Sequence, residues 1–136
     1  MELELKHIAP YLPYGLEVRY SQGFNYGIGK IDAVNFESVR MGRIELWVHF
    51  NRIKPFLYPL SMLTKEIEHN GEKFVPMVKL GLQDVIYSYS TKIKNQYGYE
   101  LDVKALSFEK VQKLLEWHFD IYGLIDNGLA IDKSTI

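Results

Sequence analysis

The sequence contains no cysteine in its 136 residues. This absence excludes disulfide bonds, thiolate zinc sites and cysteine nucleophiles. The histidines do not form a zinc motif either, because no two of them lie two to four residues apart and none belongs to an HExxH sequence. They are His7, His49, His69 and His118. We therefore expect neither a metal nor a cofactor.

Neither sign of charge dominates the sequence, because 16 lysines and arginines stand against 17 acidic residues. A net charge of −1 produces no overall field that would draw the chain to nucleic acid or to an anionic membrane, although it is compatible with a local basic patch. Long apolar runs are missing as well, and the first ten residues, MELELKHIAP, alternate charged residues with leucine. The sequence thus predicts no secretory signal, no membrane span and a cytoplasmic location.

Aromatic residues, by contrast, are abundant at 14%, and ten of them are tyrosines. Tyrosine joins an apolar ring to a polar hydroxyl, so it suits both β-sheets and half-exposed binding surfaces. The composition does not distinguish these two uses. A hydrophobic content of 47% over 136 residues is typical of one soluble globular domain, residues 1–136.

Alternating patterns predict a first group of antiparallel strands. Residues 16–21 and 44–50 alternate apolar with polar side chains, as half-buried strands do. Between them the chain is extended over about Lys30 to Met41, and a register shift between Phe36 and Val39 suggests a β-bulge. We expect these segments to form a meander.

A change of period after Pro59 predicts one short central helix. Apolar residues from Leu60 to Ile67 recur at helical spacing, and Pro59 suits the first helical position. The following Asn70-Gly71 is also typical of a hairpin turn. After a helical pattern, however, we interpret Gly71 as a left-handed C-terminal cap.

A second group of strands follows at residues 85–93 and 99–104, which we expect to pair as a hairpin. A three-residue loop from Asn95 to Tyr97, with Gly98 at positive φ, gives a register in which the apolar side chains of both strands lie on the same face of the hairpin. In this register Lys92 lies opposite Glu100 and forms a favourable cross-strand pair.

The chain then predicts a C-terminal helix. Ser107 is a suitable N-cap, an apolar stripe extends from Phe108 to about Tyr122, and Gly123 is able to end the helix. These elements together predict an α+β fold: a single domain with a mostly antiparallel sheet, one short central helix and a C-terminal helix packed on the sheet.

The segment EWHFDIYGLIDNGLAID, residues 116–132, contains a tryptophan, a histidine and several acidic residues. On a helix reaching Tyr122, His118 lies within the apolar stripe and Trp117 lies on the other side. A functional interpretation directs His118 towards a pocket and Trp117 towards a partner. A structural interpretation makes His118 a hydrogen-bonded core residue and lets residues 124–131 cover Trp117, since buried polar groups normally have structural partners.

Asp84, Asp102 and Lys104 resemble the pattern of a metal-dependent nuclease, in which two carboxylates bind Mg²⁺ and a lysine supports the attacking water. The predicted hairpin register argues against this function. It places Asp102 opposite Ser90 and therefore about 20 Å from Asp84, at roughly 3.3 Å per strand residue. Two ligands of one Mg²⁺ lie within about 5 Å of each other.

A local basic patch surrounds one of the predicted strands. Arg43 and Arg52 flank Trp47 and His49, and basic residues beside an exposed aromatic ring are able to hold phosphates and stack bases. Acidic residues lie among them, and no known aromatic-sheet signature is present. A face that is only solvated, or covered by a helix, is therefore the alternative interpretation.

Three blocks of the sequence resemble a known family. They are HIAPYLPYGL near the start, KPFLYPLSMLTKEI with the following HNGEKFVP, and LLEWHFDIYGLIDNGLAID near the end. They are similar to blocks in small proteins from prophages and mobile elements of gut-type (Bacteroidetes-like) bacteria. The resemblance implies a bacterial or phage cytoplasmic protein. The family has no established activity, so no catalytic residue carries over.

From the sequence we predict a non-enzymatic, phage-related binding or adaptor protein, whose partner is another protein or a second copy of the chain. The tyrosine content, the lack of catalytic motifs and two tryptophans outside the predicted core faces motivate this prediction. A nucleic-acid-binding module using Trp47, His49, Arg43 and Arg52 is the first alternative. A metal-dependent nuclease is the second.

Overall fold

The structure is a computed structural model that describes the backbone of residues 1–82 and 85–136 and the side chains of residues 1–82, 88 and 90–136. Its strands are β1 (Glu17–Gln22), β2 (Asn25–Val34), β3 (Ser38–Met41), β4 (Leu46–His49), β5 (Ile53–Leu57), β6 (Ile67–His69), β7 (Glu72–Phe74), β8 (Val85–Tyr89), β9 (Lys92–Asn95), β10 (Glu100–Asp102) and β11 (Ile131–Asp132). The α-helices are α1 (Leu5–Ile8), α2 (Pro76–Lys79) and α3 (Phe108–Glu116). Short 3-10 helices occupy Ala9–Tyr14, Phe50–Arg52, Leu60–Thr64, Val103–Ala105 and Lys133–Thr135.

The main sheet has the order β11-β5-β1-β2-β3-β4, and all neighbours are antiparallel except β11 and β5. Strands β4 and β5 lie on opposite sides of this sheet, yet only the 3-10 helix Phe50–Arg52 joins them. In a flat sheet they would be roughly 19 Å apart, because neighbouring strands are about 4.8 Å apart. Four residue steps span at most about 14 Å. The sheet must therefore curl strongly, and we call its curled part, residues 17–57, the barrel.

One hydrogen bond between β1 and β4 agrees with this curl. The Gln22 side-chain amide at the end of β1 donates a hydrogen bond to the Trp47 carbonyl of β4, at 3.2 Å. The inner face is apolar and buried, and a Cβ at Gly29 would come within 3.1 Å of the Met41 sulfur. Glycine at this position allows the inner side chains to fill the narrow barrel.

A second hydrophobic core lies under the remaining elements. The hairpin β6–β7, the sheet β10-β9-β8 and α3 surround it. Leu115 and Tyr122 pack against both cores, so the two are continuous. The structure confirms the α+β class, the largely antiparallel sheet and the small number of helices.

The prediction of one extended segment from Lys30 to Met41 is wrong, because a turn divides it. The Asn35 side chain accepts hydrogen bonds from the backbone N–H groups of Glu37 and Ser38, which ends β2 and starts β3. The bulge predicted between Phe36 and Val39 is a turn, and the register shift lies between Ile31 and Ala33 instead.

The central segment also differs from its prediction. The helix after Pro59 is a single 3-10 segment ending at Thr64, and Ile67 already begins β6. Asn70 and Gly71 have φ values of 51° and 81° and connect β6 to β7. Two successive positive φ values are typical of a type I′ hairpin turn. The interpretation of Gly71 as a helix cap is therefore wrong.

The second strand group contains one more turn than predicted. The chain reverses around Ser90, whose φ is 47°, and so divides the predicted strand 85–93 into β8 and β9. Lys92 lies opposite Asp102, while Lys94 lies opposite Glu100, so the predicted Lys92–Glu100 pair is wrong. The positive φ of Gly98 is confirmed at 85°.

Helix α3 ends at Glu116 and does not reach Tyr122. The Ser107 cap is confirmed, since its hydroxyl accepts a hydrogen bond from the Lys110 N–H. After Glu116 the chain extends beside the end of β5, where the Tyr58 N–H donates to the His118 carbonyl and the Asp120 N–H donates to the Tyr58 carbonyl. These bonds to β5 replace the hydrogen bonds of a longer helix.

Candidate functional site

The outer face of the barrel presents a solvent-exposed surface on β1 and β2. Alternation directs Arg19 and Ser21 of β1 outwards, and Tyr26, Ile28 and Lys30 of β2 outwards as well. Tyr26 is 78% exposed. Exposed apolar side chains therefore lie beside cationic ones on this face.

Three adjoining depressions cross this face, with volumes of about 500, 330 and 260 Å³. The largest contains Ile28, Lys30 and Arg43. The next shares Ile28 with it and adds Arg19 and Tyr26. The third shares Arg19 and is completed by residues 51–54. We call this continuous surface the outer groove.

Both ends of the outer groove carry cationic side chains, and the acidic Glu17 and Asp32 also line the largest depression. Lys30 and Arg43 lie at one end, and Arg52 and Lys54 at the other. Within the described part of the chain none of these four forms an ion pair. The Arg19 guanidinium between them lies 5.5 Å from the ring centre of Phe56.

Charge is distributed unevenly between the barrel and the rest of the chain. All four arginines lie between residues 19 and 52. The barrel, residues 17–57, carries six basic and four acidic residues, which leaves ten basic and thirteen acidic residues elsewhere. The net charge of −1 therefore conceals a positive barrel beside a negative remainder.

Acidic residues near the groove are partly neutralised by one arginine. Asp32 and Glu45 lie 3.2 and 3.8 Å from the Arg40 guanidinium. The Asp32 carboxylate lies where a side chain at position 42 would begin, since a Cβ on Gly42 would come within 2.0 Å of it. Gly42 thus permits the Asp32–Arg40 pair, while the exposed Glu17, which lies opposite Lys30 on β1, lines the same depression.

The four residues predicted for nucleic-acid binding are all exposed, but they do not form one site. Arg43 and Arg52 line opposite ends of the outer groove. Trp47, 43% exposed, and His49 lie on β4 and outside the groove. The His49 ring accepts a hydrogen bond from the Asn51 N–H and so helps to shape the link to β5.

The sequence interpretation missed Arg19, Tyr26, Ile28 and Lys30 as groove residues. A signal for three of them was present in YGIGKID, where glycine occupies every second position. In a strand that pattern places every intervening side chain on one face. Until the curl of the sheet was known, the face that carries these side chains could not be identified as the outer face.

Trp117 is buried, with 4% of its surface exposed, so the interpretation that directs it towards a partner is wrong. Its ring lies 4.8 Å from that of Phe74, and the Lys79 ammonium lies 5.8 Å from its centre. The hairpin β6–β7 and α2 therefore cover it, whereas residues 124–131 were expected to do so.

His118 is a hydrogen-bonded core residue, 5% exposed, as the structural interpretation expects. Lys133 approaches its Nδ1 at 3.4 Å, and the Tyr14 carbonyl approaches its Nε2 at 2.7 Å. An ammonium only donates, so Nδ1 accepts and Nε2–H donates to the carbonyl. Burial lowers the pKa of His118 to about 4, and both ring nitrogens are occupied by structural partners.

The nuclease pattern is not assembled by the described residues. Asp102 lies 3.1 Å from the Lys104 ammonium and 4.0 Å from that of Lys92. Burial alone would raise the pKa of Asp102, but hydrogen bonds from the Lys104 backbone and ammonium outweigh burial and hold the pKa below its ordinary value. Asp84 lies outside the described residues. Among those described, no group of three histidine or acidic side chains is placed to hold a metal ion.

The longest α-helix, α3, has nine residues, and no helix in the described ranges combines the length and apolarity needed to cross a bilayer. The chain matches no protein-family model, no curated protein and no solved structure. The likeness of its three sequence blocks to prophage proteins therefore stays a prediction.

Proposed function

We propose that this protein is a non-enzymatic nucleic-acid-binding module and that the outer groove is its binding surface. One observation carries the proposal: unpaired cations from both ends of the barrel face line one groove with an exposed tyrosine between them. Phosphates require cationic or hydrogen-bonding partners, and bases require aromatic or apolar ones. The outer groove presents both kinds of side chain.

The uneven distribution of charge supports this function. An anionic polymer is attracted to the positive barrel and repelled by the negative remainder, so the fold itself would orient the ligand on the groove. A cytoplasmic location in a bacterial cell, which the sequence predicts, would bring this surface into contact with nucleic acid.

Reversal of the two arginines at the ends of the groove tests the proposal. We expect R43E/R52E to weaken binding of a labelled oligonucleotide of about 12 nucleotides by roughly 100-fold at low salt. The slope of log affinity against log salt should fall by about 1.4, since each lost phosphate contact on a single strand contributes about 0.7. Fluorescence anisotropy across a salt series measures both quantities.

A matched control separates the groove from general charge. K65E/K73E makes the same change in net charge at exposed positions that lie outside the barrel and do not line the groove. It should retain most of the wild-type affinity. Equal weakening by both double variants, or no binding by the wild-type protein at low salt, would contradict the proposed function.

A protein-binding adaptor is the second candidate, favoured by a separate surface on β10. Leu101 of β10 is exposed, as are Tyr97 and Tyr99 just before this strand, and among the described strands β10 pairs only with β9. An edge strand flanked by apolar side chains is a site where another strand is able to add. If the partner is a second copy of the chain, sedimentation should show a dimer fraction that increases with protein concentration and is absent in Leu101→Lys. A strict monomer would refute that form of the hypothesis.

A further inference from the structure

We infer that the outer groove binds single-stranded rather than duplex nucleic acid, with a base stacked on Tyr26 between phosphates held at the two ends. This inference rests on the proposed function and specifies its ligand. It is argued from the position of the apolar side chains relative to the cations.

The floor of the groove is unusually apolar for a phosphate-binding surface. Tyr26 and Ile28 project from β2 between the two cationic ends, and Ile44 closes the largest depression. All three are exposed. Phosphates gain nothing from these side chains, so a ligand that contacts only phosphates would leave them in water.

A duplex offers the wrong surface to such a floor. Its base faces are stacked inside the helix, and its base edges are reached by a helix or ribbon that projects into the major groove. The outer groove is instead a depression across a sheet, with Arg43 and Arg52 at its ends and Arg19 between them. Unpaired bases expose flat apolar faces, and stacking of one base on an aromatic ring is sequence-tolerant.

The length of the groove suits a short extended strand. It crosses from the β3–β4 turn over β2 and β1 to β5, which are successive neighbours in the sheet. Three strand spacings amount to roughly 14 Å. One strand of a duplex carries a phosphate about every 3.4 Å along the helix axis, and an extended single strand spaces its phosphates more widely, so this distance accommodates fewer than about four nucleotides. Lys30 and Arg43 would then hold one end of the segment, and Arg52 and Lys54 the other.

The experiment compares Tyr26→Ala with Tyr97→Ala on four probes of about 12 units: oligothymidylate, oligouridylate, and a DNA and an RNA duplex of mixed sequence. Tyr97 is a matched control because it is 73% exposed and lies in the turn between β9 and β10, away from the groove residues. We expect the wild-type protein to bind single strands at least tenfold more tightly than duplexes. Tyr26→Ala should lose about 5- to 100-fold on single strands, with an unchanged salt slope and unchanged duplex affinity.

The possible outcomes separate this inference from the proposed function. Binding of both ligand types with equal affinity, or an equal effect of Tyr26→Ala on both, would refute single-strand recognition and leave nucleic-acid binding intact. Binding of neither type would refute both. A difference between oligothymidylate and oligouridylate would identify DNA or RNA as the preferred source of the strand. Circular dichroism of each variant confirms that it is folded.

Discussion

Asp120→Ala is expected to reduce the free energy of unfolding by about 3 to 6 kcal/mol. The Asp120 carboxylate is buried and accepts backbone hydrogen bonds from Tyr122, Leu124 and Ile125, at 3.3, 2.9 and 2.9 Å. Removing it leaves three donors without their partner, and each unsatisfied buried group costs about 1 to 3 kcal/mol. This single side chain holds the loop between α3 and β11, so its loss should be among the most destabilising in the chain.

Urea denaturation of Asp120→Ala and Asp120→Asn measures this effect. Asparagine keeps one acceptor oxygen and replaces the other with a donor, so Asp120→Asn should fall between the wild type and Asp120→Ala. The neighbouring Asp126 is exposed, and Asp126→Ala serves as the control. A loss below 1 kcal/mol in Asp120→Ala would show that water replaces the carboxylate and that the loop does not depend on it.

Acidification should destabilise the folded protein by about 3 kcal/mol between pH 6.5 and pH 4 through His118 alone. Burial lowers the pKa of His118 to about 4 in the folded state, against 6.5 for an ordinary histidine. Above pH 6.5 both states are neutral and the stabilisation is complete. Below it the unfolded chain binds a proton that the folded chain does not, which costs about 1.4 kcal/mol per pH unit until about pH 4.

Besides burial, the positive charge of Lys133 beside Nδ1 of His118 keeps the pKa of this histidine low. A protonated His118 would carry a positive charge on a ring whose Nδ1 lies 3.4 Å from the Lys133 ammonium. The ring centre of His69 lies 5.2 Å from that of His118. Burial, followed by the charge of Lys133, also lowers the pKa of His69, so His69 adds a dependence of the same sign. The pKa values of both histidines are therefore lowered, and both contribute to the loss of stability in acid.

His118→Asn distinguishes the contribution of His118. Its φ of 64° is left-handed, a conformation that asparagine tolerates. The free energy of unfolding of His118→Asn, measured by urea denaturation from pH 7 to pH 4.5, should be lower at pH 7 and decline less steeply with falling pH. His49→Asn, at an exposed site, should retain the wild-type slope. An unchanged slope in His118→Asn would mean that other groups cause the acid sensitivity.

Much of the architecture could be predicted where a pattern depends only on neighbouring residues. Alternation identified the strands around Val18 and Val48, and Ser107 was recognised as a helix cap. The errors arose where the same stretch of residues is compatible with two different secondary structures. Apolar residues spaced three and four apart after Glu116 suit a longer helix, but they also suit the extended segment that bonds to β5.

The candidate site was predicted only in part, for the same reason. Arg43 and Arg52 were recognised as basic residues near a strand, and both line the outer groove. Tyr26 and Arg19, from the first hairpin, belong with them only because β1 and β2 lie between β5 and β3 in the curled sheet. Adjacency of that kind depends on contacts between residues far apart in sequence.

By itself the sequence determined the absence of thiol chemistry, the α+β class, the alternation of each strand and the confinement of all arginines to the region from residue 19 to residue 52. These follow from composition and from local stereochemistry. Only the tertiary structure decided the curl of the sheet, the burial of Trp117 and the position of the groove residues beside one another. The physical reason is that each depends on hydrogen bonds and packing between distant segments, such as the short link between β4 and β5, whose consequence appears only once the strand order is known.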